Sequence, residues 1–367
     1  MTGLFIASTT SGAGKSMLSF SLGLHLQKQG YRIGYMKPLA EYHQKHEERT
    51  GDKNALMIQE LLGQQQPADI VSPVLMPSSI YSLSSHHYAP DPLGAITSAY
   101  KTISQDTDLT IVSGSGIFPY TGTFAQVDGL RLAKALNLHV LLIERGHDEF
   151  HYDTILGLKN ALGDRLLGLV INGIPHNYMR DYETHITPYL ENLDIPVLGL
   201  VPHESGLDAM RASELANHIG GYIISGKGNG SARLVGGYII GAMQVDNFMT
   251  FLRHQEKTSA VIVGGDRADL QLAALQWRTP CLILTGNFSP CDMVRAKAEA
   301  LEIPIISVSK DTFTVARAMT KLMQTKKITE LQQIRLAEEI ISRNTQIDRA
   351  LKGRELLPEI TACETAP

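Results

Sequence analysis

Glycine, lysine and serine residues near the start of the sequence have the spacing of a phosphate-binding loop. Gly12, Gly14, Lys15 and Ser16 follow an apolar, strand-like run and open a stretch with helical spacing. The backbone N–H groups of such a loop and the first turn of its helix carry partial positive charge, which attracts phosphate. Lys15 adds a full positive charge, and the hydroxyl of Ser16 can bind a magnesium ion. Thr9 stands where the strict pattern has glycine, so the match is incomplete.

The order strand, small-residue loop, Gly-Lys-Ser and helix favours a nucleotide-binding loop over an ordinary turn rich in glycine and serine. A phosphate-bearing ligand, ATP or another nucleotide, is therefore predicted at this position. The residues predicted to contact it are Thr10, Ser11, Gly12, Ala13, Gly14, Lys15 and Ser16.

A second lysine ends the next predicted strand. Residues 31–36 are apolar enough to form a buried strand, and Lys37 follows them directly. Open α/β sheets bind ligands at the carboxyl ends of their strands, where Lys15 and Lys37 would lie close together. We predict a catalytic role for both lysines, in which their charges stabilise a transferring phosphoryl group. The alternative for Lys37 is a solvated lysine at a strand end.

Strand-like and helical patterns alternate along most of the chain, which is typical of a parallel sheet. We predict an α/β fold: a mostly parallel sheet that carries the phosphate-binding loop and has helices on both faces, then a smaller α/β domain and a helical tail. The polar residues 41–52 are predicted to form a loop. The glycine-rich residues 225–231 are predicted to link the domains. The predicted domains are 1–222, a linker 223–233, a second domain 234–315 and a tail 316–367.

Composition and charge narrow the classes of partner. The chain has 367 residues, a net charge of −4 at pH 7 and a pI near 6.4. Neither value suits a protein that binds nucleic acid or an acidic membrane surface. No apolar run reaches the roughly 18 residues of a membrane-spanning helix, the start lacks the basic segment of a secretion signal, and the 3 cysteines form no CxxC pair. We therefore expect a cytoplasmic protein with neither nucleic acid nor membrane as a partner.

Several motifs together resemble a known group of proteins. Residues 1–222 are similar to the P-loop ligases that include dethiobiotin synthetase and cobyrinic acid a,c-diamide synthase. The supporting motifs are Gly-Lys-Ser at 14–16, Tyr-Met-Lys-Pro at 35–38, Gly-Leu-Val-Ile-Asn at 168–172 and Pro-Val-Leu-Gly-Leu-Val-Pro at 196–202. The resemblance implies that Asn172 reads the adenine of the nucleotide. The other role open to Asn172 is to cap a turn.

The second half of the chain resembles a further family, the DRTGG domain. Gly-Asp-Arg-Ala-Asp at 265–269 and Leu-Thr-Gly at 284–286 carry this resemblance. The two domains in this order are similar to the N-terminal regulatory region of long bacterial phosphate acetyltransferases, in which an acetyltransferase catalytic domain follows. We expect that catalytic domain to be lacking here. Asp266 and Arg267 either bind a small anionic effector or pair with each other to fix a turn.

The sequence departs from the ligase pattern at the residues that hold magnesium. The resemblance implies that the ion is bound by the loop hydroxyl, here Ser16, and by two acidic residues. The strand that ends in glutamate in the ligases reaches Ser113 here, and the acid at the helix start aligns with Asn54, with Asp52 close by. A cation that bridges phosphates prefers carboxylate ligands. We therefore expect weakened magnesium binding and weak or absent ATP hydrolysis.

Two functions follow from these observations. The first is a nucleotide-binding regulatory protein related to the regulatory region of phosphate acetyltransferase. The second is an ATP-dependent enzyme that joins a carboxylate to an amine, as in the dethiobiotin synthetase group. The missing magnesium ligand and the DRTGG-like motifs favour the first function. Lys15 and Lys37, at the ends of neighbouring predicted strands, would serve the second.

Apolar residues of the helical tail favour self-association. Ile334, Leu336, Ile340, Ile341 and Ile347 lie on an otherwise charged segment and need a surface that covers them. A small second domain also gains stability from a partner, and the resemblance to the long acetyltransferases implies an oligomer. We therefore predict a homo-oligomer. The alternative is that the tail folds back on its own chain.

Overall fold

The computed structural model describes most of the chain and divides it into two compact units. The first unit comprises Met1–His203 and Ile334–Pro367, and the second comprises Glu204–Gln333. The described residues are 2–46, 49–77, 91–146, 152–226, 228–325, 328 and 331–359.

Strands and helices alternate through most of the first unit up to residue 203. Its strands are β1 (Gly3–Ala7), β2 (Ile33–Met36), β3 (Leu39–Ala40), β4 (His43–His46), β5 (Arg49–Asp52), β6 (Val74–Leu75), β7 (Leu109–Ser113), β8 (His139–Arg145), β9 (Leu166–Ile174) and β10 (Val197–Pro202). Its helices are α1 (Lys15–Lys28), α2 (Lys53–Leu61), α3 (Ala68–Val71), α4 (Pro92–Ser104), α5 (Gly129–Ala135), α6 (Tyr152–Leu162), α7 (Met179–Asp181) and α8 (Thr187–Asn192).

Six of these strands form one parallel sheet, in the order β10-β9-β8-β1-β7-β2. Strand β1 lies near the centre, with Ile6 opposite Ser113 of β7 on one side and Leu141 of β8 on the other. Parallel neighbours need crossover connections, and most of these connections contain helices here. The carboxyl ends of all six strands therefore meet at one edge of the sheet, which confirms the predicted parallel arrangement.

Both faces of this sheet are covered. Phe5 and Ala7 belong to a core cluster that includes Ile96 of α4 and Leu132 of α5. Successive side chains of a strand point to opposite faces, and Ile6, between Phe5 and Ala7, is also fully buried. The predicted layered α/β architecture is therefore confirmed.

The polar segment after β2 is not the loop that the sequence predicted. Strands β4 and β5 pair antiparallel, with His43 opposite Asp52, and the N–H of Lys53 donates to the carbonyl of Tyr42 at 2.8 Å. A loop was predicted because these residues lack the alternating apolar side chains that indicate a strand. The pairing depends instead on backbone hydrogen bonds and on the buried Asp52. Residues 47–48, between the two strands, lie outside the described residues.

The second unit repeats the alternation on a smaller scale. Its helices are α9 (Ser205–Asp208), α10 (Ala212–Ile219), α11 (Val245–Leu252), α12 (Ala268–Trp277), α13 (Asp292–Ala300) and α14 (Thr312–Thr325). Its strands are β11 (Met210–Arg211), β12 (Tyr222–Ser225), β13 (Leu234–Val235), β14 (Gly237–Gly241), β15 (Ser259–Gly264), β16 (Leu282–Thr285) and β17 (Ile305–Ser307). Five strands form a sheet in the order β12-β17-β16-β15-β14, in which only β12 runs antiparallel to its neighbour.

Both faces of the second sheet are also buried. Val261 and Val263 pack in one cluster with Phe248 of α11, whereas Ile262 packs in another cluster with Val315 of α14. The alternation of side chains along β15 thus places two helical layers on opposite faces. This arrangement agrees with the predicted smaller α/β domain.

The predicted linker contains regular structure in the second unit. Strand β12 pairs with β17, with Tyr222 opposite Ser307, and a 3-10 turn spans Asn229–Ala232. The division between the units falls between residues 203 and 204, before the predicted linker at 223–233. Glycine content indicates backbone freedom, but it does not exclude that an adjacent apolar pair, here Ile223 and Ile224, forms an edge strand. Residue 227 lies outside the described residues.

Only the later part of the predicted tail, from Ile334 onward, belongs to the first unit, whereas α14 belongs to the second. The last helices of the chain are α15 (Leu331–Asn344) and α16 (Ile347–Gly353). Within the first unit, the side chain of Asp348 accepts a hydrogen bond from His25 at 2.8 Å, and the N–H of Gln346 donates to the carbonyl of Leu198 at 2.7 Å.

Of the apolar tail residues predicted to need cover, Ile334, Ile340, Ile341 and Ile347 are buried within the chain and Leu336 is partly buried. They therefore no longer argue for a partner subunit, as the alternative foresaw, and the homo-oligomer stays a prediction. No helix in the described parts of the chain is long and apolar enough to cross a membrane.

Candidate functional site

The loop between β1 and α1 has the backbone shape that its glycines predict. Gly12 and Gly14 adopt positive φ angles of 75° and 109°, a region that glycine enters at little cost. A Cβ atom on Gly14 would also lie only 2.5 Å from Nδ2 of Asn172 and 3.3 Å from Cδ1 of Ile143. The sequence therefore needs glycine at position 14, where the loop closes against β8 and β9 and helix α1 begins.

Lys15 places its ammonium group over this loop. Its Nζ donates to Oγ of Ser8 at 2.6 Å and to the carbonyl of Gly116 at 2.8 Å. Both acceptors are uncharged, and among the described residues no carboxylate lies within ion-pair distance of Lys15. Burial lowers the pKa of Lys15 to about 8, although Glu41 and Glu144 partly oppose this effect. At neutral pH the site therefore holds a desolvated positive charge without a direct counter-ion.

Lys37 lies at the same edge of the sheet but has two carboxylate partners. Its Nζ contacts Oδ2 of Asp52 at 2.9 Å and Oε2 of Glu41 at 3.0 Å. The side chains of Lys37 and Asp52 are almost completely buried, whereas Glu41 is partly exposed. The charge of Lys37 contributes to the lowered pKa of Lys15, which is consistent with the predicted proximity of the two lysines. The ion pairs of Lys37 also differ from the solvated strand-end lysine that was the alternative.

Asp52 organises the segment around Lys37. Its Oδ1 caps helix α2 by accepting the N–H groups of Asn54 and Ala55, and its Oδ2 accepts the N–H groups of Glu41 and Tyr42. Burial alone would raise the pKa of Asp52, but Lys37 and the N–H donors hold that pKa below its ordinary value. Asp52 is therefore a charged structural anchor. Asn54, the other candidate at this helix start, is buried next to it.

The sequence reasoning missed Glu144, an acidic residue that contacts the loop. Glu144 lies near the end of β8, is almost fully buried, and accepts the backbone N–H of Thr9. Its second carboxylate oxygen lies 3.5 Å from Oγ1 of Thr10. Burial raises the pKa of Glu144 above its usual range, and the backbone N–H of Thr9 and the charge of Lys15 oppose part of that rise. The only signal in the sequence was a lone acid after the apolar residues 140–143.

Other predicted ligand residues surround the loop. Asn172, at the end of β9, donates from Nδ2 to the carbonyl of Ala13 at 2.9 Å, so it fixes the loop as its alternative role foresaw. Ser11 and Gly12 are exposed, Ala13 is buried, and Thr10, Gly14 and Ser16 are partly buried. The contact of these residues with a nucleotide, the adenine contact of Asn172 and the magnesium contact of Ser16 stay predictions.

A narrow pocket opens beside Lys15 on the Phe5 face of the sheet. Its polar lining includes Ser113 and Ser115, and its apolar lining includes Phe5 and Phe118. Ser115 also donates to the carbonyl of Leu39 at 2.7 Å. The strand end that lacks the glutamate of the ligases therefore faces a space lined by hydroxyl and aromatic groups.

Magnesium fits this site less well than phosphate does. At the two positions where the resemblance implies an acid, Ser113 carries no charge at the strand end and Asn54 carries none at the helix start. Both carboxylate oxygens of the nearby Asp52 are already used by Lys37 and backbone N–H groups. Ser16 at the start of α1 is the remaining predicted ligand. Across the described residues, no group of three or more His, Cys, Asp or Glu side chains is arranged to hold a metal ion.

The candidate effector residues of the second unit do not pair with each other. Arg267 instead contacts Asp269: its Nε donates to Oδ1 at 3.0 Å, and its Nη2 donates to Oδ2 at 2.9 Å. The pairing of Asp266 with Arg267 was therefore wrong, because the start of α12 brings the carboxylate two residues further on into the reach of the guanidinium. An effector role for Asp266 and Arg267 stays a prediction.

Comparison with known proteins agrees with the two resemblances. Residues 2–211 match the AAA domain family, and residues 214–322 match the DRTGG domain family. Phosphate acetyltransferase of Pseudomonas putida is 25% identical over 345 residues, which cover 88% of this chain and 47% of that protein. The ATP-dependent dethiobiotin synthetase of Methanocaldococcus jannaschii is 28% identical over 182 residues, 47% of this chain and 79% of that protein.

One similar solved structure contains the CBS and DRTGG domains of the regulatory region of Clostridium perfringens pyrophosphatase, in complex with diadenosine tetraphosphate. It is 18% identical with a TM-score of 0.28, and it covers 32% of this chain and 49% of that chain. The chain spans about half the length of the Pseudomonas phosphate acetyltransferases that it matches. Because the first match covers more than half of the sequence, the chain belongs to the AAA domain family, and a DRTGG domain follows its AAA domain.

Proposed function

We propose that this chain is a nucleotide-binding regulatory protein related to the regulatory region of phosphate acetyltransferase. The main support for nucleotide binding is the ammonium group of Lys15, which lies beside a loop shaped by glycines and, among the described residues, donates only to uncharged oxygens. A desolvated cation beside a helix N-terminus attracts a multiply charged anion such as a nucleotide phosphate.

The regulatory part of the proposal is supported by the two matched families and their order. A DRTGG domain follows the AAA domain here, and phosphate acetyltransferases align with most of this chain over about half of their own length. Such coverage fits a region that accompanies a catalytic domain. The effector, the acetyltransferase connection and the partner protein all belong to the proposal.

Weak or absent hydrolysis belongs to the same proposal. Ser113 supplies no charge where the ligases have a glutamate, and the carboxylate of Asp52 is engaged by Lys37. A transferring phosphoryl group needs charge stabilisation from a metal as well as from lysines. ATP or another nucleotide would therefore act as a bound signal, with magnesium as a weak companion.

Calorimetric titration with ATP tests the binding. We expect ATP to bind the native protein and Lys15→Ala to weaken binding by about 1–3 kcal/mol, the usual loss for a hydrogen bond to a charged group. Lys101→Ala is the matched control, because Lys101 is exposed on α4, away from the loop. Equal ATP affinity of the native protein and Lys15→Ala would contradict the proposed site.

An ATP-dependent carboxylate–amine ligase is the second candidate. The pocket beside Lys15, with its serine hydroxyls and aromatic walls, favours it because a substrate could lie next to the loop. The similarity to dethiobiotin synthetase gives further support. Magnesium-dependent ATP turnover that Lys15→Ala abolishes would favour this enzyme over the regulatory protein, whereas binding without turnover would favour the regulatory protein.

A further inference from the structure

Glu144 is positioned by the register of the central strands. In the parallel pair of β1 and β8, Ala7 lies opposite Leu142. Two residues further along each chain, Thr9 of the loop therefore meets Glu144. Glu144 as a whole residue is 4% exposed, and a buried carboxylate is costly unless it is paired or well hydrogen-bonded.

The loop supplies part of that compensation. The N–H of Thr9 donates to Oε1 of Glu144, and Oγ1 of Thr10 lies 3.5 Å from Oε2. Oγ1 of Thr9 is buried next to this contact and has no hydrogen-bond partner among the described residues. Glu144 thus holds the first part of the loop through one firm and one weak hydrogen bond.

The charges around Glu144 are few. Lys15 is the charged residue that acts on it among the described residues, and Lys15 in turn interacts with Glu41 and Lys37. Arg145, the next residue of β8, lies beside Gly173 of β9. A phosphate bound at Lys15 would therefore bring negative charge close to a buried carboxylate that has no ion-pair partner of its own.

We propose that Glu144 is a proton-accepting positioning residue of the loop, which takes up a proton when a phosphate ligand binds at Lys15. This inference rests on the proposed nucleotide binding and adds a regulation of it by pH. The proton comes from solvent and resides on Oε2, and no covalent bond other than this O–H bond changes. Removal of the negative charge relieves its repulsion of the phosphate.

The geometry accepts the protonated form without rebuilding. Oε1 keeps the N–H of Thr9, while the new O–H can donate to Oγ1 of Thr10, because a threonine hydroxyl accepts as well as donates. Burial already raises the pKa of Glu144, which makes uptake easier. Glutamine has the same shape as protonated glutamate, so Glu144→Gln keeps both hydrogen bonds and fixes the uncharged form.

Calorimetric titration of ATP between about pH 7 and about pH 5.5 tests the inference, since Lys15 stays charged throughout this range. At pH 7 we expect Glu144→Gln to bind ATP about tenfold more tightly than the native protein, and this ratio to decrease as the pH is lowered and the native carboxyl takes up a proton. Titration in buffers of different ionisation enthalpy should show more proton uptake by the native protein than by Glu144→Gln. This difference removes the contribution of ATP's own phosphates.

Two further variants secure the interpretation. Glu60→Gln alters an exposed glutamate of α2 and should match the native protein in affinity and proton uptake. Glu144→Ala removes the contact with the loop as well as the charge. It should therefore lower the ATP affinity and, like Glu144→Gln, lack the pH dependence that Glu144 causes in the native protein. If Glu144→Gln and the native protein agree in affinity and proton uptake at every pH, the inference is overturned while nucleotide binding stands. Absence of ATP binding by all variants and the native protein overturns both.

Discussion

The carboxyl ends of the parallel strands form an edge in each of the two sheets, and these two edges carry different side chains. The first edge concentrates Lys15, Lys37 and Glu144, all buried or partly buried. The second edge exposes Phe288, and its Arg267 pairs with a neighbour in solvent. Desolvated charges oppose folding unless a partner compensates them. This contrast is the reason why we propose the nucleotide site at the first edge.

Replacement of Lys37 should produce the largest difference between the two edges, measured as the loss of stability when an ion pair is broken. Lys37→Met keeps the aliphatic length but leaves the buried Asp52 without its cation, which should lower the free energy of unfolding by about 3–5 kcal/mol. The matched change Arg267→Met, at the exposed ion pair of the second edge, should leave stability unchanged. Urea unfolding followed by far-ultraviolet circular dichroism measures both variants. Equally small losses of stability in the two variants would show that the buried ion pair of the first edge stabilises the fold no more than the exposed pair of the second edge does.

Much of the first edge could be predicted from the sequence because its signals are local. Gly12, Gly14 and Lys15 follow one strand directly, and Lys37 follows the next, so parallel pairing alone brings them to one edge. Glu144 was not predictable in the same way. Its contact with Thr9 depends on the register between β1 and β8, two strands separated by more than a hundred residues, and no local pattern fixes that register.

The other differences from prediction have a similar cause. The β4–β5 hairpin has polar strands whose pairing depends on Asp52, a residue that also caps α2. The apolar stripe of α15 shows that Ile340 and Ile341 must be covered, but an amphipathic pattern does not say by which surface. Arg267 forms its ion pair with Asp269 and not with Asp266, because the backbone turn at the start of α12 brings Asp269 within reach. Long-range contacts and turn geometry decided each case.

The pH dependence of ATP binding tests whether the first edge holds the ligand through the charge of Lys15. Binding of a phosphate needs the charged form of Lys15, whose pKa burial lowers to about 8. In Glu144→Gln, which removes the proposed titration of Glu144, ATP affinity should therefore stay level up to that pH and fall by up to about tenfold for each further pH unit. Lys15→Arg, which remains charged, is the control and should lose this fall, as calorimetry across the pH range can measure. A native affinity that stays level to about pH 10 would show that Lys15 does not bind the ligand through its charge.

The smallest expected effect concerns the ion pair of the second edge. The side chains of Arg267 and Asp269 are 41% and 46% exposed, so water and salt already screen their attraction. Asp269→Asn should therefore cost less than about 1 kcal/mol of stability at low ionic strength, and the loss should vanish at about 1 M salt. Fluorescence of Trp277, the chain's 1 tryptophan, which ends α12, follows unfolding of the second unit. The ion pair of Lys37 and Asp52 should respond little to salt, because its charges are buried and dissolved ions screen buried charges much less than exposed ones. A large, salt-resistant loss in Asp269→Asn would instead place a buried, functional charge at the second edge.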